Sequence, residues 1–164
     1  MKSPWHKPIV LETLDDNWES SPATAGVYIV MTDRAIQRIG RIDNAGILYI
    51  GKAKSLRNRL WQFWKQNHDA SGFLWAHYRV AEIILDKPIH TGSDVTEYLG
   101  KLNVRYSTPI REDQLYTAER ALLFTYIQYF GEAPPLNGSV LKRWEQPPPS
   151  EDRAWAERGL FKDS

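Results

Sequence analysis

Tyrosine and basic side chains are concentrated on one short stretch of the sequence, in which the apolar run Ile-Leu-Tyr-Ile ends at Gly51. Tyr49 lies in this run. A tyrosine serves as a base near neutral pH only if nearby positive charge lowers its pKa by ~3 units, which corresponds to ~4 kcal/mol. Positive charge follows at once, since the segment from Lys52 to Lys65 holds five Lys or Arg residues and no acid. One of them, Arg59, offers a planar fork suited to phosphate oxygens. The stretch therefore predicts chemistry on an anionic partner.

Glu119 is the second side chain that could do chemistry, because it falls among apolar neighbours in a helix predicted over residues 114–130. Burying an unpaired carboxylate is expensive, so Glu119 needs a metal ion or a basic partner. Mg²⁺ keeps several waters and takes only one or two protein carboxylates, so a single glutamate is enough for such a site. The alternative is a structural ion pair with Arg59 or Lys52.

The elements that must position these residues are short strands and amphipathic helices. The apolar run before Gly51 predicts a strand, and Ser55 is a plausible N-cap for the helix after it, with Leu56, Leu60 and Trp64 as a buried stripe. Further strands are predicted over 26–30 and 102–107, with a possible short strand over 8–11. Further helices are predicted over 73–85, 94–101 (with a capping-box-like start at Asp94), 114–130 (closed by Gly131) and 151–158 (ending before Gly159).

These elements predict a compact α/β (α+β) domain, with a small three-stranded sheet, mixed or antiparallel, flanked by helices. We place the domain at 24–140, after an N-terminal extension over 1–23 and before a Pro-rich spacer and short helix over 141–164. Trp155 of that last helix is expected to dock on the domain.

Two glycine-containing triplets, in order with four further residues, resemble the signature of the GIY-YIG nuclease superfamily. The matching residues are Gly26-Val27-Tyr28, Tyr49-Ile50-Gly51, Lys52, Arg59, Glu119 and Asn137. The run from Lys52 to Arg59 looks most like the branch that contains the 3′-incising nuclease of bacterial nucleotide excision repair. DNA repair is thus one pathway that the resemblance suggests; restriction, mobile-element processing and phage defence are also compatible.

The resemblance implies a metal-dependent DNA endonuclease that leaves a 3′-hydroxyl and a 5′-phosphate. It implies Mg²⁺ or Mn²⁺ on Glu119, water activated by the metal with Tyr28 or Tyr49, and charge stabilisation by Arg59 and Lys52, while Asn137 helps to secure the site. Sequence alone does not choose between the two tyrosines. Further DNA contacts are expected from the basic helix and its start, with Trp61 as an exposed ring that stacks on bases: Gly51, Lys54, Arg57, Trp61 and Lys65.

Two features depart from the family pattern. Phe63 stands where many relatives carry a histidine or tyrosine four residues after the helix arginine, and a phenyl ring cannot exchange protons. Either the tyrosines and the metal carry the whole task, or activity is low, or Gln62 or His68 substitutes. The alternative function is therefore a weak or inactive nucleic-acid-binding module. The second departure is a long connection over 32–46, which is either a basic flap beside the site or a solvated hairpin extension.

Bulk composition narrows the classes further. The chain has 164 residues, 42% hydrophobic and 25% charged, which is ordinary for a single globular domain. With no cysteine it has no disulfide or thiolate site, and no apolar run approaches the ~18 residues of a membrane span. We expect a cytoplasmic protein without membrane contact. A net charge of +1 means that DNA contact must be local, and a homodimer or a targeting partner is possible.

Overall fold

The computed structural model describes residues 2–13, 21–68, 75–90, 92–138 and 146–161, and these are organised around an antiparallel sheet. Its strands are β1 (Ile9–Val10), β2 (Gly26–Thr32), β5 (Ile47–Ala53) and β6 (Leu102–Ser107), in the spatial order β1-β6-β2-β5. A separate hairpin of β3 (Ile36–Gln37) and β4 (Ile42–Asp43) joins β2 to β5. The helices are α1 (Leu56–His68), α2 (Trp75–Leu85), α3 (Gly92–Gly100), α4 (Leu115–Phe130) and α5 (Ser150–Phe161).

The predicted α+β class is confirmed, and the sheet is larger than expected by one short strand. The three expected strands are β2, β5 and β6, and every pairing among them is antiparallel. The additional strand is β1, where Ile9 and Val10 pair with the outer edge of β6. In the part of the chain that is described, none of the helices is both long enough and apolar enough to cross a membrane.

Alternating residues of β2 build two cores on opposite faces of the sheet. Tyr28 and Val30 point into a core formed with α1, α2 and α3, whereas Val27 and Ile29 point into a core formed with α4 and α5. All four side chains are fully buried. The sheet is therefore the middle layer of three, and the residues that follow one another along its strands face different helices.

Local sequence signals set most helix ends. The Asn58 N–H donates to the Ser55 hydroxyl at 3.4 Å, which confirms Ser55 as the cap of α1. Gly131 ends α4 in the left-handed conformation (φ 78°), as predicted. The start expected at Asp94 was wrong, because α3 begins at Gly92 and Asp94 instead accepts the His90 N–H and pairs with Lys87. The start of the helix expected at residue 73 lies outside the described residues.

The last helix does not end at Gly159, and a contact with the N-terminal segment explains why. Helix α5 continues to Phe161, and a Cβ at Gly159 would lie 2.1 Å from the Trp5 ring. Glycine is used here for close packing and not as a terminator. Trp155 stacks on Trp5 with ring centroids 5.1 Å apart, and its indole N–H donates to the Ser3 carbonyl at 2.9 Å. Trp155 therefore docks on the fold as expected.

The long connection over 32–46 forms a hairpin that is fixed to the end of α4. The buried carboxylate of Asp43 accepts the Ala45 and Ile47 N–H groups, both at 3.0 Å, and the Tyr126 hydroxyl at 2.9 Å. The nearly buried Arg38 donates to the Ala133 carbonyl and pairs with Glu132 at 3.3 Å. The hairpin is thus anchored at its base by buried polar contacts, which a freely solvated extension would lack.

Replacing Asp43 with alanine tests how strongly this anchor supports the strand that follows it. Asp43→Ala leaves two backbone N–H groups and the Tyr126 hydroxyl without their acceptor, so we expect a loss of about 3 kcal/mol or more in the free energy of unfolding. Urea denaturation measures the change. The control is Asp33→Ala, since that carboxylate is exposed and should matter by less than about 0.5 kcal/mol. Equal stabilities for the two variants would show that the anchor contributes nothing.

Candidate active site

The two signature tyrosines lie against the glycine of the second triplet. Tyr28 faces Gly51 directly across the β2–β5 pairing, and Tyr49 lies two residues before Gly51 on β5. The tyrosine rings are 5.8 Å apart, and a Cβ on Gly51 would lie 2.7 Å from atoms of both. Such a distance is far inside van der Waals contact, so only glycine allows both rings this position.

Arg59 reaches the same cluster from the first turns of α1. Its Nε–H donates to the Tyr28 hydroxyl oxygen at 3.1 Å, while the Arg59 side chain is exposed. Tyr28 itself is fully buried, and this burial, with a smaller effect of Tyr49, raises the pKa of the Tyr28 phenol despite the opposing charge of Arg59. Tyr28 therefore remains protonated near neutral pH and fixes the direction of an exposed guanidinium.

Lys52 and Glu119 meet on the opposite face of β5. Lys52 pairs with Val27 in the sheet, on the face that α4 covers, and its ammonium donates to Glu119 Oε2. The Glu119 side chain is 18% exposed and that of Lys52 is 37% exposed. Of the two explanations for a carboxylate in this apolar setting, the structure contains the ion pair, and its partner is Lys52.

Asn137 acts on the outer edge of β5. Its side-chain oxygen accepts the Ile50 N–H at 2.9 Å and its side-chain nitrogen donates to the Ile50 carbonyl at 2.7 Å. The Leu136 N–H donates to the Leu48 carbonyl alongside, also at 2.9 Å. The segment thus replaces a neighbouring strand, and Asn137 positions the strand between the two tyrosines and Lys52 without pointing toward a ligand.

The residues predicted to contact DNA have different surroundings. Lys54 is 80% exposed and pairs with Glu112 at 2.9 Å, and Lys65 is exposed. Arg57 donates to the Ser21 carbonyl at 2.8 Å and so secures the entry to β2. The exposed position expected of Trp61 was wrong, because its ring is half-buried against the core and stacks on Trp64 at 5.0 Å. Gly51, predicted in the same group, is buried under the tyrosines.

Tyr116 is a residue of this site that the sequence analysis missed. It lies three residues before Glu119 on α4, so both side chains project from the same side of the helix. The Lys52 ammonium is 5.6 Å from the centre of the Tyr116 ring, and this ring is 56% exposed. The three-residue spacing to Glu119 is the signal that could have identified it. The side chains of Phe63 and His68 lie outside the described residues, whereas Gln62 is exposed on α1.

The residues present can be tested against the divalent cation that the family resemblance implies. Among the described residues, no group of three or more His, Cys, Asp or Glu side chains could hold a metal ion. Glu119 alone offers hard oxygen ligands, with Oε2 engaged by Lys52. A partly exposed carboxylate fits a Mg²⁺ ion that keeps most of its ligands as water and phosphate oxygen.

The fold and the site together define a small α+β domain in which a Tyr-Tyr-Arg cluster and a Lys-Glu pair share one glycine-containing strand. The chain is similar to UvrABC system protein C of Gloeobacter violaceus, with 41% identity over 61 residues. This segment is 37% of the chain but only 8% of the length of that protein. No protein-family model matches the chain. No solved structure matches it either.

A substitution at Gly51 tests whether the tyrosines depend on its missing side chain. Gly51→Ala places a methyl group against both rings, so we expect about 1–3 kcal/mol of destabilisation and a changed near-ultraviolet circular dichroism spectrum. Gly40→Ala is the matched control, because a Cβ there has no atom within 4 Å. The packing argument fails if both variants unfold at the same urea concentration.

The buried phenol of Tyr28 makes stability depend on alkaline pH. Because its folded pKa is raised above the ordinary value of about 10, the protonated form is favoured in the folded state, and the corresponding stability is lost as pH rises above about 10. We expect Tyr28→Phe to lose less unfolding free energy between about pH 8 and pH 11 than the natural chain. The control is Tyr116→Phe, at an exposed tyrosine, which should follow the natural chain. A Tyr28→Phe profile as steep as that of the natural chain would contradict the assignment.

Proposed function

We propose that the chain is a metal-dependent DNA endonuclease that hydrolyses phosphodiester bonds. The observation that carries this proposal is the convergence on β5 of the six signature positions, with the Tyr-Tyr-Arg cluster on one face, the Lys-Glu pair on the other and Asn137 along the edge. The similarity of 61 residues to UvrABC system protein C supports it and favours a role in DNA repair. The share of that protein covered is small, so the proposal concerns this domain's chemistry.

In the proposed reaction a water oxygen attacks phosphorus and the bond to the 3′ oxygen breaks, giving a 3′-hydroxyl and a 5′-phosphate. Glu119 would hold one Mg²⁺ or Mn²⁺, with Lys52 released from Oε2 toward the phosphate. When bound, such an ion supplies Lewis-acid activation of water and offsets phosphate charge. The Lys52 ammonium is well suited to this exchange, because it is a flexible point charge and more than a third exposed.

Arg59 is assigned to the phosphate. Its Nε is engaged by Tyr28, so its terminal nitrogens on the exposed side are available for the phosphate oxygens, where they stabilise the charge that develops. Tyr28 is fully buried and has a raised pKa, and both properties favour a positioning role over that of a base. Tyr49 is partly exposed beside it, and we assign the orientation of the attacking water to its hydroxyl.

A second candidate is a DNA-binding module of the same fold that cuts weakly or not at all. The Lys52–Glu119 ion pair favours it, because a carboxylate already neutralised by an ammonium binds a metal less readily. Phe63, in place of a residue that exchanges protons, points the same way. On this alternative the basic start of α1 keeps its affinity for phosphates.

Cleavage of labelled single-stranded, duplex and forked DNA with Mg²⁺ or Mn²⁺ separates the candidates. We expect Glu119→Gln to reduce cutting about a hundredfold or more, and EDTA to abolish it. Glu112→Gln is the matched control, because that glutamate also pairs with a lysine but is 60% exposed at the surface. Its cutting should equal that of the natural chain.

Binding to the same DNAs is measured in parallel with cleavage. DNA affinity that decreases steeply with salt, in a chain that cuts none of the substrates, would replace the nuclease proposal with the binding module. Cutting that Glu119→Gln retains would overturn the assigned metal site.

A further inference from the structure

The tip of the β3–β4 hairpin, residues 38–42, presents apolar and basic side chains that the proposed cleavage site does not use. Ile39 is 81% exposed and Ile42 is 54% exposed. A single exposed isoleucine is ordinary, but two at one anchored turn form an apolar projection that needs a partner. Nothing in the reaction assigned to β5 requires them.

The tip is held in a defined position. The Arg38 N–H donates to the Arg41 carbonyl at 3.0 Å, which closes a two-residue turn of Ile39 and Gly40. The Ile39 N–H donates to Glu132 at 2.9 Å, and the same carboxylate pairs with Arg38. An apolar side chain on an anchored turn loses little conformational entropy on binding, which favours its use as a contact.

The charges around the tip identify the class of partner. Residues 34–42 contain three arginines and no acid. Arg38 is neutralised by Glu132, while Arg34 and Arg41 are exposed, and Arg41 lies over the Tyr129 ring at 5.8 Å. Asp33, beside Arg34, is an exposed acid near this surface. Aliphatic side chains flanked by arginines suit DNA, in which bases lie between rows of phosphates.

The distance from the cleavage site fits the same molecule. The hairpin contacts the C-terminal end of α4, whereas Glu119 is in its first half. At 1.5 Å per residue, the path from Glu119 to Phe130 is about 16 Å, or roughly five base pairs of duplex. One short duplex could therefore contact both places.

We infer that the tip of the β3–β4 hairpin is a second contact for duplex DNA, in which Ile39 and Ile42 press against base edges while Arg34 and Arg41 bind the flanking phosphates. This inference rests on the proposed action on DNA and adds a preference for duplex to it. The cleavage chemistry needs no such contact, so the two proposals can fail separately.

The test compares binding of a fluorescein-labelled duplex with that of one of its single strands, in EDTA so that neither is cut. The double variant Ile39→Ser/Ile42→Ser should bind the duplex about tenfold more weakly and the single strand equally well. Ile83→Ser is the control, since that isoleucine is 74% exposed on α2, outside the tip, and its replacement should change neither affinity. Arg41→Gln should reduce the salt dependence of duplex binding by about one unit of slope.

The outcomes separate the alternatives. Unchanged duplex affinity in a folded double variant overturns the inference while leaving any observed cutting, and so the proposed function, intact. If the natural chain is a dimer by analytical ultracentrifugation, and the double variant is a monomer with unchanged duplex affinity, the tip is a self-association surface and the inference is wrong. Failure of the natural chain to bind either DNA overturns both proposals. If the double variant does not fold, Ile39→Ser alone takes its place and is judged by the same duplex affinity.

Discussion

The site depends on a steric constraint, the absence of a side chain at position 51. The rings of Tyr28 and Tyr49 occupy the space where a Cβ would be, and the Tyr28 hydroxyl in turn fixes Arg59. One backbone position on β5 thereby sets the place of three side chains from two strands and a helix. Because the rings rest on backbone and not on a flexible neighbour, the guanidinium is held by a chain of contacts that has little freedom to move.

The sheet also separates the charges that the chemistry needs. Arg59 stands on the α1 side with its tyrosine anchor, and Lys52 stands on the α4 side with Glu119. Successive residues of a strand point to opposite faces, so Gly51 and Lys52 serve the two sides from adjacent positions. This separation lets an acid sit close to a group of bases without being neutralised by all of them.

Local signals in the sequence predicted the strands, the Ser55 and Gly131 helix ends and the candidate residues, because each depends on neighbours within a few positions. Contacts distant in sequence were not readable. Lys52 and Glu119 are 67 residues apart, so the analysis kept two possible ion-pair partners open. Gly159 was misread as a helix end, because its reason is a tryptophan at the other end of the sequence. Trp61 was expected at the surface, since its stacking on Trp64 competes with exposure in a way that helical spacing does not show.

Asn137 has a consequence for how this chain can associate. Strand β5 lies at the edge of the sheet, and an uncovered edge is a template on which another polypeptide can add a strand. At Ile50 both backbone groups are taken by the Asn137 amide, and at Leu48 the carbonyl is taken by the Leu136 N–H. A second copy or a partner peptide thus finds no free backbone at these two residues. The strand that carries the site is protected there from cross-strand aggregation, and assembly through β-augmentation would have to begin elsewhere.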